Sequence, residues 1–257
     1  MTDDLLTIAI SDDGIATLTM NRPGKRNAMC DELLNAIDAF FTNPPEGVKA
    51  VVLTGTEGHY CSGLDLSEHK QRDAEGTMRH SRGWHAVMDK IQYGGLPVVS
   101  AMFGAVIGGG LELATSTHVR IAEPSTIFQL PEGRRGIYVG GGASVRVGRI
   151  LGADRMVEMM LTGRKYNAEE GFMLGLTHYS VGEGEALAMA QDLARKIAKN
   201  APLSNYVMIH ALSRIEDMDK AGGLFTESLC AALTQTSPDA VEGLAAFLEK
   251  RAPKFGG

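Results

Sequence analysis

Hydrophobic positions recur with two different periods along the chain, which predicts strands and helices in separate places. Two runs with strand-like apolar patterns, residues 6–10 and 15–20, are joined by Asp12-Asp13-Gly14, a sequence typical of a hairpin turn. A helix is predicted over residues 31–41, because its apolar residues fall on one face: Leu33, Leu34, Ile37 and Phe40. Short apolar runs predict further strands at residues 50–53, 96–102, 118–122 and 126–129.

The polar stretch 73–93 carries apolar residues only at helical spacing: Trp84, Val87, Met88 and Ile91. We interpret these as core packing and not as a cofactor site, because apolar periodicity is primarily a signal of burial. Residues 63–66, Gly-Leu-Asp-Leu, are interpreted as opening another helix.

The second half of the chain is predicted to be mostly helical, at residues 143–151, 154–161, 168–174, 185–199, 203–215, 222–236 and 240–250. Strands alternating with helices in the first half indicate an α/β core, which the helices extend. We therefore expect a core over residues 1–195 and a helical region over residues 196–257. No internal repeat or low-complexity segment is found.

Composition narrows the class of protein. The chain has 257 residues, 44% of them hydrophobic, which is ample for a sizeable core, and a formal net charge of −6. That charge argues against a nucleic-acid surface. Cys30, Cys61 and Cys230 are odd in number and widely spaced, which argues against a disulfide framework or a zinc site.

The location of the protein is expected to be cytoplasmic. The acidic start, Met1-Thr2-Asp3-Asp4, lacks the basic n-region of a signal peptide, and no apolar run reaches the ~18 residues that span a bilayer. We therefore expect no membrane contact.

Three consecutive glycines, at positions 108–110, follow an apolar strand-like run and precede a predicted helix that begins at Leu111. Their bare N–H groups would lie at a helix N-terminus, which favours a phosphate, a carboxylate or a developing oxyanion. The pattern is neither a P-loop nor the G-x-G-x-x-G dinucleotide fingerprint, which leaves the oxyanion interpretation.

Two glutamates near these glycines, Glu112 and Glu132, are candidates for general acid–base work on a carbonyl compound. A structural interpretation is open for each. The helix dipole favours Glu112 in a first helical turn, and Pro131-Glu132-Gly133 is also typical of a surface turn.

The ordered set of motifs resembles the enoyl-CoA hydratase/isomerase family, the crotonase superfamily. The segments that carry the resemblance are Asn21-Arg22-Pro23 with residues 25–28, then residues 60–66, 104–114, 128–132, 161–163 and 246–251. They cover nearly the whole chain. The resemblance implies a crotonase-like spiral of β-β-α turns with a C-terminal helical trimerisation region, assembled as a homotrimer or homohexamer.

In that family, two backbone N–H groups hold the thioester oxygen, and the matching positions are Leu64 and Gly109. Glu112 and Glu132 match the two glutamates that handle water when it adds across the double bond of an enoyl-CoA. Glu132 would pass a proton to C2, and Glu112 would activate the water that attacks C3. Gly140 would offer a backbone donor to that water.

The resemblance also implies contacts with coenzyme A, which enters as part of the substrate and not as a prosthetic group. Lys25 and Arg26 would meet its phosphates. The other matching positions are Ala28, Ser62, Asp65 and Leu66, with Phe247 and Lys250 reaching coenzyme A on a neighbouring subunit.

The loop after Glu132 departs from the family pattern. Val139 stands where a proline is common, Ala143-Ser144-Val145-Arg146 follows Gly142 in place of Thr-Gln-Arg-Leu, and Arg134 and Arg135 occupy usually apolar positions. The acyl group is therefore left open between a fatty chain and a branched, aromatic or heteroatom-bearing group.

Other functions remain open as alternatives. The same scaffold supports isomerases, hydratase–lyases and thioester hydrolases. A non-catalytic RNA-binding member is disfavoured by the charge and by the absence of a basic stripe. Ser62 lies outside a G-x-S-x-G elbow, and the histidines form no H-E-x-x-H pattern, so neither a serine hydrolase nor a metal site is expected.

Overall fold

A computed structural model describes residues 4–67 and 71–256, and within them the chain forms two sheets and ten α-helices. The strands are β1 (Leu6–Ile10), β2 (Ile15–Met20), β3 (Ala50–Gly55), β4 (Val98–Met102), β5 (Ala105–Ile107), β6 (Val119–Ala122), β7 (Ile127–Gln129), β8 (Tyr166–Asn167) and β9 (Tyr179–Ser180). The helices are α1 (Asp31–Thr42), α2 (Ala74–Tyr93), α3 (Gly109–Thr115), α4 (Ala143–Leu151), α5 (Ala153–Thr162), α6 (Ala168–Met173), α7 (Ala186–Ile197), α8 (Pro202–Ile215), α9 (Lys220–Gln235) and α10 (Pro238–Leu248). Short 3₁₀ helices cover Pro23–Lys25 and Glu132–Arg135.

The larger sheet has six strands in the order β1-β2-β3-β4-β6-β9. Only its first pair, β1 with β2, is antiparallel, as expected for the hairpin; the other pairs are parallel. A smaller sheet of order β5-β7-β8 pairs β5 with β7 in parallel and β7 with β8 antiparallel. Parallel strands separated by helices are buried on both faces, and all six residues of β3 are buried. The α/β class is confirmed.

The helix faces predicted from periodicity are buried. In α1 these residues are Leu33, Leu34, Ile37 and Phe40, and in α2 they are Trp84, Val87, Met88 and Ile91. The opposite face of the large sheet is covered by α7 through small side chains: Ala186, Ala190 and Ala194. The buried face of α2 fixes that helix against the core, and α2 also reaches the site described below.

The helix predicted at residues 63–66 is wrong. Gly63 has φ +97°, and Leu64 forms an isolated parallel bridge with Met29. The Asp65 carboxylate turns back to accept hydrogen bonds from the backbone N–H and hydroxyl of Ser67, at 3.0 and 2.6 Å. Backbone pairing with Met29, which lies 35 positions away, therefore overrides the local helical pattern.

The helices α8, α9 and α10 follow the core, and α8 packs on α9 and α2. Many of their large apolar side chains are exposed, including Leu212, Leu224, Phe225, Leu229, Leu244 and Phe247. The division of the chain at residue 195 stays a prediction. Within the described ranges, no helix has the length and hydropathy that crossing a membrane requires.

Candidate active site

The triple glycine lies where β5 ends and α3 begins. The predicted change from strand to helix is present, but β5 lies between the predicted strand and the glycines, and α3 begins at Gly109 instead of Leu111. Gly108 has φ +54°, a backbone conformation that is strained for residues with a Cβ atom. A Cβ at Gly108 would lie 2.7 Å from Oε1 of Glu132, and one at Gly110 would lie 2.1 Å from the Cys61 carbonyl oxygen. Glycine is therefore required here because a carboxylate and a neighbouring backbone approach so closely.

The segment that carries Leu64 is fixed from two sides. Cys61 bonds to β5, donating its N–H to the Ala105 carbonyl at 2.9 Å. Met29 donates its N–H to the Gly63 carbonyl at 2.7 Å and accepts from the Asp65 N–H at 2.9 Å. Because both bonds to Met29 use the neighbours of Leu64, the N–H of Leu64 is left on the opposite side of the segment.

The N–H groups of Leu64 and Gly109 lie close together. A Cβ placed on Gly109 would be 3.4 Å from the Leu64 nitrogen, and one on Gly63 would be 3.2 Å from the Gly109 nitrogen. Neither N–H donates a hydrogen bond to another atom of the described residues. Two such donors, one of them at a helix start, are suited to hold an oxygen that gains negative charge.

Glu112 is buried and anchored by backbone donors. Its Oε1 accepts the N–H of Gly141 at 2.8 Å and that of Ala143 at 3.1 Å. Burial raises the pKa of Glu112, and the two N–H donors and the charge of Arg146 oppose that rise. The two donors lie about 30 positions further along the chain, in the loop before α4 and at the first residue of α4. They hold the carboxylate in place.

Glu132 is also buried, but its carboxylate accepts fewer hydrogen bonds than that of Glu112. The surface turn that the sequence leaves open for Glu132 is therefore not what the structure has. It begins the 3₁₀ helix, and its Oε2 has no hydrogen-bond partner among the described residues. Burial, with the charge of Glu112 as a lesser cause, raises the pKa of Glu132 to about 7. A carboxyl group with that pKa is suited to give up and take back a proton near neutral pH.

The indole ring of Trp84 lies between Gly109, one of the two proposed oxyanion positions, and Gly141, which donates to Glu112. Its atoms lie 2.9 Å from a Cβ position on Gly109 and 3.0 Å from one on Gly141. The prediction that Trp84 packs is confirmed, but it packs on the oxyanion glycine and on the glycine that anchors Glu112. One helix, α2, therefore contacts both.

The turn at residues 22–28 lies against the segment that carries Leu64. Ser62 bonds to it twice, donating its N–H to the Arg26 carbonyl and its hydroxyl to the Lys25 carbonyl, both at 3.1 Å. Arg26 has φ +50° and is exposed, and Ala28 is buried beside it. Predicted coenzyme A residues from two separate segments are thus brought together.

Asp65 is a structural centre of this cluster. Arg22 contacts its carboxylate at 3.0 Å and Lys25 lies 3.9 Å away. Hydrogen bonds from Ser67 are the main reason that the pKa of Asp65 falls to about 2, with Arg22 and Lys25 adding to the effect. Asp65 is 5% exposed, whereas Leu66 is 44% exposed and free to meet a ligand.

Two predicted residues, Phe247 and Lys250, are not brought to this cluster. Phe247 is 79% exposed at the end of α10, and Lys250 donates its N–H to the Phe247 carbonyl at 3.2 Å. Their predicted role involves a neighbouring subunit, so the single chain leaves that role a prediction.

Gly140 lies at the start of the loop that holds Glu112. Its carbonyl accepts the hydroxyl of Ser81 at 2.6 Å, and its N–H donates to no atom of the described residues. A cavity of about 690 Å³ adjoins the loop and is lined by Thr115, Gly142 and Arg146, with α8 on its other side. The roles predicted for Gly140 and the other site residues stay predictions.

Single sequence motifs do not reveal several residues that contribute to the geometry. They are Arg22, Ser81, Ala143, Gly141 and Arg146. Arg22 had a signal, because it lies within Asn21-Arg22-Pro23. The others act through backbone groups or through distant partners, which spacing along the chain does not reveal.

Comparison with known proteins shows the family of the chain. Residues 11–257 match the family described as enoyl-CoA hydratase/isomerase. The human mitochondrial enoyl-CoA hydratase domain-containing protein 2 is 34% identical, with 97% of this chain and 88% of the relative covered. The 2,3-dehydroadipyl-CoA hydratase of Escherichia coli is 31% identical, with 95% of each covered.

A crystal structure from Rhodopseudomonas palustris, named as a candidate enoyl-CoA hydratase, has the same fold. Its TM-score is 0.93 and its sequence is 45% identical, with 96% of this chain and 95% of the other covered. The crotonase-like architecture expected from the motifs is confirmed. The chain belongs to the enoyl-CoA hydratase/isomerase family.

Proposed function

We propose that the protein is an enoyl-CoA hydratase, a hydro-lyase that adds water across the α,β double bond of a 2-enoyl-CoA thioester. The observation that carries the proposal is the pair of buried carboxylates, Glu112 and Glu132, beside two backbone N–H groups that have no acceptor in the part of the chain that the structure describes. Retaining both glutamates favours hydration over reactions that need a single acid or base.

The thioester oxygen binds between the N–H groups of Leu64 and Gly109. When water attacks C3, electrons move toward this oxygen and an enolate forms. One preorganised donor of this kind typically lowers the barrier by about 3 kcal/mol. The donors are backbone groups, so a leucine at position 64 is compatible with this role.

The unequal surroundings of the glutamates divide the proton transfers. Glu112, fixed by two N–H donors, orients the water and accepts its proton as the oxygen bonds to C3. Glu132, whose pKa is about 7, gives its proton to C2. One turnover therefore leaves a proton on Glu112 and an ionised Glu132, and a return of the proton through product-site water resets the pair.

The coenzyme A portion of the substrate is held at the turn formed by residues 22–28 and 62–66. Lys25 and Arg26 are exposed cations suited to its phosphates, and backbone groups at Ala28, Ser62, Asp65 and Leu66 are suited to its adenine. Phe247 and Lys250 complete this site from a neighbouring copy in a homotrimer or homohexamer. The exposed apolar side chains of α9 and α10 support such an assembly.

The test is the loss of the enoyl-thioester absorbance of crotonyl-CoA, measured for the wild type, Glu112→Gln and Glu132→Gln. Each substitution is expected to lower kcat by ~10² or more, the scale of general acid–base catalysis. Glu123→Gln is the matched control, because Glu123 is also buried and accepts a backbone N–H, that of Ala186 at 3.1 Å, outside the site.

A wild type that binds coenzyme A but leaves crotonyl-CoA unchanged contradicts hydration of short enoyl groups. Loss of hydration in Glu112→Gln with isomerisation or hydrolysis left intact would instead favour the isomerase, hydratase–lyase or hydrolase alternatives. Failure to bind coenzyme A would contradict the substrate class as a whole.

A further inference from the structure

Helix α2 contacts the loop that holds Glu112 at more than one point. The Ser81 hydroxyl donates to the Gly140 carbonyl at 2.6 Å, and the Trp84 ring lies against Gly141. These contacts lie on one stripe of α2, since residues three and four positions apart share a helix face. The stripe continues to Asp89 and Gln92.

Arg146 of α4 connects this stripe to the loop. Its Nη2 donates to Asp89 Oδ1 and its Nε to Gln92 Oε1, both at 2.6 Å. A third, longer bond joins Nη1 to the Gly141 carbonyl at 3.4 Å. The Arg146 side chain is only 10% exposed, whereas the Asp89 carboxylate is 56% exposed, so the pair lies at the edge of the protein with the arginine on its buried side.

The backbone conformation at position 142 requires glycine, and the guanidinium lies close to that glycine. A Cβ on Gly142 would lie 2.2 Å from Nη1 of Arg146, and Gly142 has φ +113°. The loop therefore closes directly over the arginine. From Gly141 and Ala143 the backbone N–H groups point the other way, to Oε1 of Glu112.

We propose that Arg146, held by Asp89 and Gln92 of α2, is a positioning residue that places Glu112 through the loop at residues 140–143. The inference rests on the proposed hydratase function, in which Glu112 orients the attacking water. Misplacing a reacting group by about 1 Å costs ~10² in rate, which sets the scale of the expected effect.

The charges around Glu112 predict a change in pH dependence that a purely structural role of Arg146 would not cause. Glu132 faces Glu112 from the 3₁₀ helix, and Arg146 faces it from α4. On α2, His85 and Asp89 face Arg146. Because the Arg146 charge holds the pKa of Glu112 down against burial, removing that charge raises the pKa of Glu112.

The experiment compares Arg146→Gln, Arg146→Lys and the wild type in crotonyl-CoA hydration across pH. Arg146→Gln is expected to lower kcat by ~10-fold to 10²-fold, with less than about threefold change in KM. Its acid limb of kcat/KM moves to higher pH, because Glu112 must lose its proton to act. Arg146→Lys keeps the acid limb near that of the wild type but recovers kcat only in part, since one ammonium does not replace the planar fork.

Arg149→Gln is the matched control. Arg149 lies one turn further along α4 and pairs with Asp217, just after the end of α8, and none of its bonds reaches the loop. Its kcat and its pH profile are expected to equal those of the wild type. A wild-type kcat and acid limb in Arg146→Gln overturn the proposal, as does a loss of kcat in Arg149→Gln of the same size.

A second measurement separates this proposal from the proposed function. The Glu112 carboxyl is titrated directly by carbon-13 NMR in the wild type and in the double variant Asp89→Ala/Gln92→Ala, which keeps Arg146 but removes its supports. A changed titration or a shifted Gly141 amide signal supports the role of the arginine even if crotonyl-CoA is not hydrated. Unchanged signals contradict it even if crotonyl-CoA is hydrated.

Discussion

The two glutamates of the site lie in regions built in opposite ways. Glu112 lies on α3 and accepts hydrogen bonds from the backbone of residues 140–143. That segment is itself hydrogen-bonded to side chains of α2 and α4. Glu132 sits on a short 3₁₀ helix between buried and exposed residues, and one of its oxygens has no partner among the described residues.

This difference shows how one fold gives two carboxyl groups different acid–base properties. Hydrogen bonds to the charged form favour ionisation, and burial without such bonds disfavours it. The anchored Glu112 is therefore suited to orient water, and the unanchored Glu132, with a pKa of about 7, is suited to carry a proton.

The largest effect should come from adding one methyl group where Glu112 is gripped. In Gly141→Ala the new Cβ would lie 2.6 Å from Oε2 of Glu112 and 3.0 Å from the Trp84 ring. Both neighbours are buried, and Glu112 is held by two backbone N–H donors, so kcat for crotonyl-CoA is expected to fall ~10²-fold.

Gly133→Ala is the matched change beside Glu132. Its Cβ would meet only the Met160 carbonyl oxygen at 3.4 Å, an ordinary contact, so kcat should stay within about threefold of the wild type. Thermal unfolding of both variants checks that each is folded. Equal kcat values for the two alanine variants would contradict the contrast between the gripped and the unanchored glutamate.

The contrast itself lies beyond what the sequence predicts. The helix faces of α1 and α2 were predictable, because four apolar residues at helical spacing in each are enough to define a buried stripe. The anchoring of Glu112 was not, since its donors at positions 141 and 143 are fixed by packing across the fold. Strand β5 has only three residues, too few to show a period.

Motif matching and local propensity gave different expectations around Leu64. Leu64 and Gly109 were matched as oxyanion positions, and the structure brings their N–H groups together. Propensity alone gave a helix at residues 63–66, which pairing with Met29 overrides. Long-range pairing of this kind leaves no periodic trace in the segment itself.

An intermediate effect is expected on stability. The pKa of Glu132 is near 4.5 in the unfolded chain and about 7 in the fold, so only the unfolded chain ionises between these values. The free energy of unfolding therefore falls as pH rises from 4.5 to 7, and the full cost, up to about 3 kcal/mol, applies above pH 7. Glu132→Gln removes this cost.

Urea unfolding at pH 4, 6 and 8, at fixed protein concentration, measures this effect. Glu132→Gln should match the wild type near pH 4 and be more stable at pH 8. The Glu123→Gln control should show no such gain, because Glu123 keeps its acceptor role toward Ala186 in either form. A Glu132→Gln variant less stable than the wild type at pH 8 would show that the buried carboxylate is paired after all.

The smallest effect concerns Arg135, which ends the 3₁₀ helix that Glu132 begins. Residues three apart in a 3₁₀ helix lie on the same side, and the charge of Arg135 lowers the pKa of Glu132 against the dominant effect of burial. Arg135→Gln should therefore raise the pKa of Glu132, so the group keeps its proton to higher pH. The basic limb of kcat/KM then moves upward by a few tenths of a pH unit, because an exposed charge is strongly screened. Arg134→Gln removes an equal charge, but the Arg134 side chain donates to the Thr162 carbonyl at 2.6 Å and is not among the charges that act on Glu132, so that limb should stay in place. A downward shift in Arg135→Gln would mean that Glu132 is not the proton donor whose titration sets the limb.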